Sequence, residues 1–241
     1  MKSSTAMSIW IGFDEREVAA FAVAFSSIRR RLTVPIPINS LVLDHLREKG
    51  LYWRPTEKRG SQLWDVISDA PMSTEFAISR FLVPHLAKTG WALFTDSDVM
   101  ALGNVARLFA SADKTKAVMC VKHKHTPPPN AVKMDGQAQV PYARKNWSSV
   151  MLFNCDHPAN KELTPKLVNT LPGRDLHRFC WLDDNLIGDL TPDWNYLVGL
   201  SKSKDPQLVH FTEGFPQMPG YEDQPYAKKW RRELKAWASK P

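Results

Sequence analysis

Read for the spacing of its apolar positions, the chain divides into short, wholly apolar runs and longer stretches in which apolar residues recur every three or four positions. The first pattern marks buried strands, the second helices with one buried face. Residues 7–13 (MSIWIGF) are such a run and lead into Asp14, so a strand entering a loop is expected. Residues 18–32 follow with Val18, Phe21, Ala22, Phe25 and Ile28 at helical spacing and end on Arg29, Arg30 and Arg31, where positive charge suits the helix dipole. Prolines at the entry of 36–43 predict a strand toward a sheet edge, and the mixed stretch 46–59 predicts a loop. A second amphipathic helix is expected over 73–86, with Phe76, Leu82, Val83 and Leu86 along one side and Gly90 beyond its end. Residues 91–94 are too few for a helix and read as a central strand. Further on, 105–112 and 163–171 read as helices, and 117–121, 149–154 and 209–211 as strands. Residues 123–146, rich in proline and lysine, read as a long functional or disordered loop. With no internal repeat and no linker to divide it, the strand–helix alternation predicts one α/β domain over 1–241.

The sequence ALFTDSDVM sets Asp96 and Asp98 on either side of Ser97, at the carboxyl end of the strand 91–94. Open α/β sheets bind ligands in the crevice beyond those ends, and Asp14 would lie on the same rim. A divalent cation would justify the two charges. The plainer reading is a solvated acidic turn, since such a pair arises by chance about once in a chain of this size.

Composition narrows the class. The 241 residues, 43% hydrophobic and 24% charged, suit a globular chain able to bury a core. No apolar run is long enough for a bilayer, and the start MKSSTAMSIWIGFDE lacks the layout of a secretion signal, so a cytoplasmic location is expected, with the inner membrane surface as a variant of it. Cys120, Cys155 and Cys180 are odd in number and have no close metal-binding spacing, which predicts buried free thiols. The formal net charge of +7 points to an anionic partner: nucleic acid, a membrane surface or a phosphorylated small molecule.

Several stretches taken together resemble glycosyltransferases of the GT-A fold, most like family 8 and related bacterial and phage-like proteins. They are IWIGFDERE, STEFAISRFLVPHL, ALFTDSDVMALGNVARLF, WSSVMLFN, WLDDNLIGDLTPDWNYL and VHFTEGFP, in the family's order over about residues 8–226. The resemblance implies a Rossmann-like mixed central sheet flanked by helices, with a smaller acceptor-side lobe. It makes about 7–122 the nucleotide-binding half and about 123–241 the acceptor half with a C-terminal helix. The implied reaction is transfer of a sugar, with retention, from a nucleotide diphosphate sugar (UDP-sugar most often) to a glycan, lipid or protein acceptor. Mn²⁺ is the implied cofactor, with Mg²⁺ as the alternative. Oxygen ligands with one imidazole suit such a cation.

Residue by residue, the resemblance makes Asp96, Asp98 and His210 the metal ligands, with Asp96 also touching the donor ribose. It assigns Gly12, Phe13 and Asp14 to the nucleotide base, Arg16 to a phosphate and Arg80 to the donor. Asp183, Asp184 and Asn154 become the groups nearest the transferred sugar. Each has a plainer reading: a packed strand histidine for His210, an N-cap for Asp14, a snorkelling surface residue for Arg80, and an N-cap pair for Asp183 and Asp184. The family's lysine shortly after the histidine is missing, since Phe215, Pro216 and Gln217 stand in that region. Phosphate neutralisation is then left to Arg80, Arg16, Lys202 or Lys204. His123 and His125 alternate as on a strand, yet without a nearby acid they read as part of a basic loop.

The tail 226–237 (YAKKWRRELKAW) sets Trp230, Leu234 and Trp237 on one helical face among basic residues. Packing against the domain is the preferred reading, and contact with an anionic membrane the second. Two other functions compete with an enzyme. A nucleotide-sugar-binding protein of the same fold without turnover follows from the missing lysine. Nucleic-acid binding ranks last and no such partner is expected, because the positive residues are spread and no nucleic-acid module is recognisable.

Overall fold

A computed structural model describes residues 6–124, 144 and 146–239. Most of the stretch 123–146 and all of His125 lie outside the described residues. In chain order the strands and α-helices are β1 (Met7–Gly12), α1 (Val18–Arg31), β2 (Ile38–Leu41), α2 (Leu43–Glu48), β3 (Thr56–Arg59), β4 (Gln62–Asp65), β5 (Ala70–Met72), α3 (Val83–Ala87), β6 (Trp91–Thr95), β7 (Val99–Ala101), α4 (Ala106–Ala110), β8 (Val118–Cys120), β9 (Val150–Asn154), α5 (Pro165–Thr170), α6 (Gly173–His177), β10 (Ile187–Asp189), β11 (Tyr196–Leu197), β12 (Leu208–His210) and α7 (Ala227–Ala238).

Six strands form the central sheet in the order β10-β8-β9-β6-β1-β2, parallel except for β9. Central β6 is buried along its whole length, as its unbroken apolar run requires, and β2 takes the expected edge. β9 comes from the second half of the chain yet lies between β8 and β6. A second sheet, β11-β12-β7, forms where the chain leaves β6, turns through Asp96–Asp98 and pairs β7 antiparallel with β12.

Two apolar clusters cover the two faces of the central sheet. A third, built from Ala20, Val23, Met100, Val209, Phe211, Phe215 and Trp230, fastens the second sheet to α1 and α7. Trp230 is fully buried, with its ring stacked on Phe215 at 5.8 Å. Leu234 packs on the same cluster, and Trp237 meets Phe25 edge-on at 5.5 Å. The apolar stripe of the tail is thus used in packing. Among the described residues no helix is long and apolar enough to cross a membrane.

Three expectations are corrected. The stretch 46–59 is no simple loop: α2 ends within it, and β3 opens a three-stranded antiparallel sheet with β4 and β5. The expected helix over 73–86 is turns as far as Ile78, then one 3-10 turn and the short α3. Its first residues are drawn off by the β1 loop, Arg16 donating to the Ser73 carbonyl (2.9 Å) and the Glu75 amide to Asp14 (3.0 Å). Cys120 and Cys155 are buried free thiols, but Cys180 is exposed.

Candidate metal and donor site

The parallel strands β1 and β6 end on one rim, and the second sheet completes it. Pairing of β12 with β7 sets His210 opposite Val99, and the Phe211 amide donates to the Asp98 carbonyl (3.0 Å). That register brings the imidazole to the acids from far along the chain. His210 Nε2 lies 3.0 Å from Asp98 Oδ1 and 3.9 Å from Asp96 Oδ2. One ligand atom from each of Asp96, Asp98 and His210 falls within 4.8 Å of the others, and among the described residues they form the one such group. Two carboxylates and an imidazole converging at this spacing fit a divalent cation with oxygen and nitrogen ligands.

Asp96 and His210 are each held from behind. Arg80 is buried and reaches Asp96 Oδ1 at 2.7 Å while donating to the Ser148 carbonyl at 2.9 Å. Its guanidinium lies over the rings of Phe94 (4.9 Å) and Phe76 (5.3 Å). The Asp96 amide donates to the Ser149 carbonyl (2.9 Å). His210 faces Asn195 through its other nitrogen, Nδ1, at 2.9 Å.

Glu17, in the turn before α1, adds a third acid that sequence reasoning missed. Its Oε2 accepts from the Ser97 hydroxyl at 2.5 Å. Burial first, then the charge of Asp98, push its pKa up to about 8. Burial alone would lower the pKa of His210, but the charge of Asp98, its hydrogen bond and the charge of Asp96 outweigh that and raise it above the usual histidine value. Burial leads the first shift, and the negative charge of the rim adds to it and decides the second. In the sequence Glu17 reads as one of several charges at a helix start; only its meeting with Ser97 distinguishes it.

Other assigned residues fall differently. Asp14 is fully buried, and both its oxygens are taken: Oδ1 by the Arg16 amide and Nε, Oδ2 by Arg16 Nη2 and the Glu75 amide. Burial opposes ionisation, but these bonds prevail and lower its pKa. Asp14 therefore caps and clamps the loop, the plainer of its two readings. Gly12 is buried, and a Cβ there would strike the Phe76 ring at 2.4 Å, so its bareness serves packing. Phe13 stands edge-on to Phe21 at 5.2 Å. Arg80 is no surface residue.

Asn154 is not brought to this rim. β9 runs antiparallel to β6, which pairs Asn154 with Trp91 at the opposite end of the sheet and leaves Val150 beside Thr95. Its amide instead binds the carbonyls of Lys114 (3.3 Å) and Lys116 (3.2 Å). Asp183 and Asp184 are exposed; Asp184 is ion-paired with Arg144, and Asp183 makes no capping bond. Lys202 and Lys204 are exposed on the connection from β11 to β12. The His123 carbonyl accepts from the Trp147 indole (3.1 Å).

No protein-family profile matches the chain. Protein CDI of Arabidopsis thaliana is 43% identical over 236 residues, covering 95% of this chain and 86% of that protein. Among solved structures, LgtC (an active-site mutant) superposes with a TM-score of 0.60 at 12% identity, over 98% of each chain. The bifunctional glycosyltransferase WbbM superposes with a TM-score of 0.57 at 13% identity; 97% of this chain is covered, which spans 52% of that one. At such identities these likenesses establish the fold, that of the GT-A glycosyltransferases.

Proposed function

The chain belongs to the family of the Arabidopsis thaliana Protein CDI, and from that premise we propose that it is a metal-dependent glycosyltransferase. In this reading it moves a sugar from a nucleotide diphosphate sugar of the uridine class to a glycan, lipid or protein acceptor. The observation that carries it is the convergence of Asp96, Asp98 and His210 at the carboxyl rim of a GT-A sheet. The fold neighbour LgtC is a galactosyltransferase seen with donor and acceptor sugar analogues, which favours a sugar donor here.

Asp96, Asp98 and His210 would hold Mn²⁺, with Mg²⁺ as the alternative. When bound, the cation stabilises the charge developing on a departing diphosphate. The chain's own groups supply the positioning. Arg80 fixes the carboxylate of Asp96 from the protein side, which leaves Asp96 Oδ2 turned toward His210. Lys202 and Lys204, exposed on the β11–β12 connection, and Arg16, exposed but bonded to Asp14 and Ser73, are the cations proposed for the phosphate oxygens in a chain without the family's lysine. Asp183 and Asp184 serve the sugar or acceptor side. Retention of anomeric configuration rests on the family 8 likeness, and the anomeric proton of the product, read by NMR, decides it.

The test is Asp98→Asn at saturating Mn²⁺. Metal-dependent release of nucleoside diphosphate from UDP-sugars should drop by more than about 100-fold with the circular dichroism spectrum unchanged. Undiminished release would reject the metal assignment. A second reading, a nucleotide-sugar-binding protein without turnover, is favoured by Phe215, Pro216 and Gln217 where the family has its lysine. Calorimetric binding of donor with Mn²⁺, without release across many acceptors, would select it.

A further inference from the structure

Behind His210 the hydrogen bonds run in one direction through Asn195 and Ser149 to a backbone carbonyl. The Ser149 hydroxyl donates to the Asn146 carbonyl at 2.8 Å. With its proton committed, that hydroxyl can only accept from Asn195, whose Nδ2 lies 3.0 Å away. The amide end of Asn195 therefore faces Ser149, and its Oδ1 faces His210 Nδ1 at 2.9 Å. An oxygen there accepts, so Nδ1 keeps its proton, and Nε2, which donates to Asp98 while the ring is protonated, is the nitrogen that would give up its proton to face a cation beside Asp98 and Asp96. Asn195 is fully buried and His210 is 2% exposed, so no water competes for these bonds. Ser149 holds the first acid as well, because its carbonyl accepts from the Asp96 amide.

We infer that Asn195 is the positioning residue of the metal centre: through Ser149 and Asn146 it sets the tautomer and ring plane of His210, so that Nε2 presents a lone pair to the cation. This rests on the metal assignment under Proposed function. Partners of this kind, beyond the ligands, tune metal affinity by about 10- to 100-fold.

The test uses the full chain and Mn²⁺ alone, with free ion followed by electron paramagnetic resonance. Asn195→Leu removes both ends of the amide and should weaken Mn²⁺ binding by about 10- to 100-fold, whereas Asn195→Asp, which keeps an acceptor toward Nδ1, should recover most of the affinity. A purely structural role would spoil both variants alike. The third measurement needs no substitution: in the wild-type protein loaded with diamagnetic Zn²⁺, ¹⁵N NMR should find a proton on Nδ1 of His210. A bare Nδ1, or Asn195→Leu binding Mn²⁺ as tightly as wild type, overturns the inference and leaves the metal site standing. Failure of the wild-type chain to take up Mn²⁺ removes both.

Discussion

Glu17 is a carboxyl buried beside the charges of the rim, and its titration reads both. In the unfolded chain it ionises near its ordinary 4.5, whereas in the folded protein it holds its proton to about 8. Its contribution to stability is intact below the unfolded value and is lost as pH rises toward the folded one. Glu17→Gln should therefore raise the melting temperature of the metal-free protein, with a larger gain at about pH 8 than at about pH 5. Equal gains at both would show that the carboxyl is not under this strain. His210 has the same sign for stability, its raised pKa favouring the fold at low pH. For a cation the proton is a competitor, so Mn²⁺ affinity should climb as pH passes the raised value. Calorimetry in buffers of different ionisation heat should then count about one proton released per ion. At this scale the acids and the imidazole were legible because each sits in a quoted motif. Asn154 misled, because strand direction decides which end of LFN faces the rim and a strand pattern carries no direction. For Asp14 the cap was legible, but its further partners, the Arg16 guanidinium and the Glu75 amide, come together only in the folded loop.

Among the elements that carry none of the three residues, α7 bears on the site through the third apolar cluster. Trp230 anchors the cluster that contains Val209 and Phe211, the two neighbours of His210 in the chain. Trp230→Ala should destabilise the protein by about 3–5 kcal/mol and weaken Mn²⁺ binding with it, as measured by denaturant unfolding and by metal titration on the folded fraction. Loss of stability with unchanged affinity would show that β12 keeps its place without this support. The strands β6 and β9, buried along their whole length, and the largely buried β1 were legible from apolar runs alone. The β3–β4–β5 sheet was not: its strands are short and largely open to water, Glu57, Lys58 and Arg59 all being exposed. What holds it is invisible to periodicity: the buried Arg54, bidentate on Asp65 and bonded to the carbonyls of Val168 and Leu171. The turns over 73–78 were read as helix because the apolar spacing fits one, and spacing cannot register a backbone bonded to Asp14 and Arg16.

Over the whole molecule, the strand–helix alternation was enough to indicate an α/β sheet, and ordered motifs were enough to indicate which one. The second sheet is what the pattern could not supply, because β7, β11 and β12 have three, two and three residues and pair across long separations. Yet that small sheet decides when the protein becomes competent. Its last strand, β12, follows every strand of the central sheet in chain order. A growing chain thus carries Asp96 and Asp98 for about 110 further residues before the imidazole is added. A product of termination before Leu208 would keep both acids but lack the strand that carries His210, so the three-residue group forms only in a chain read past that point.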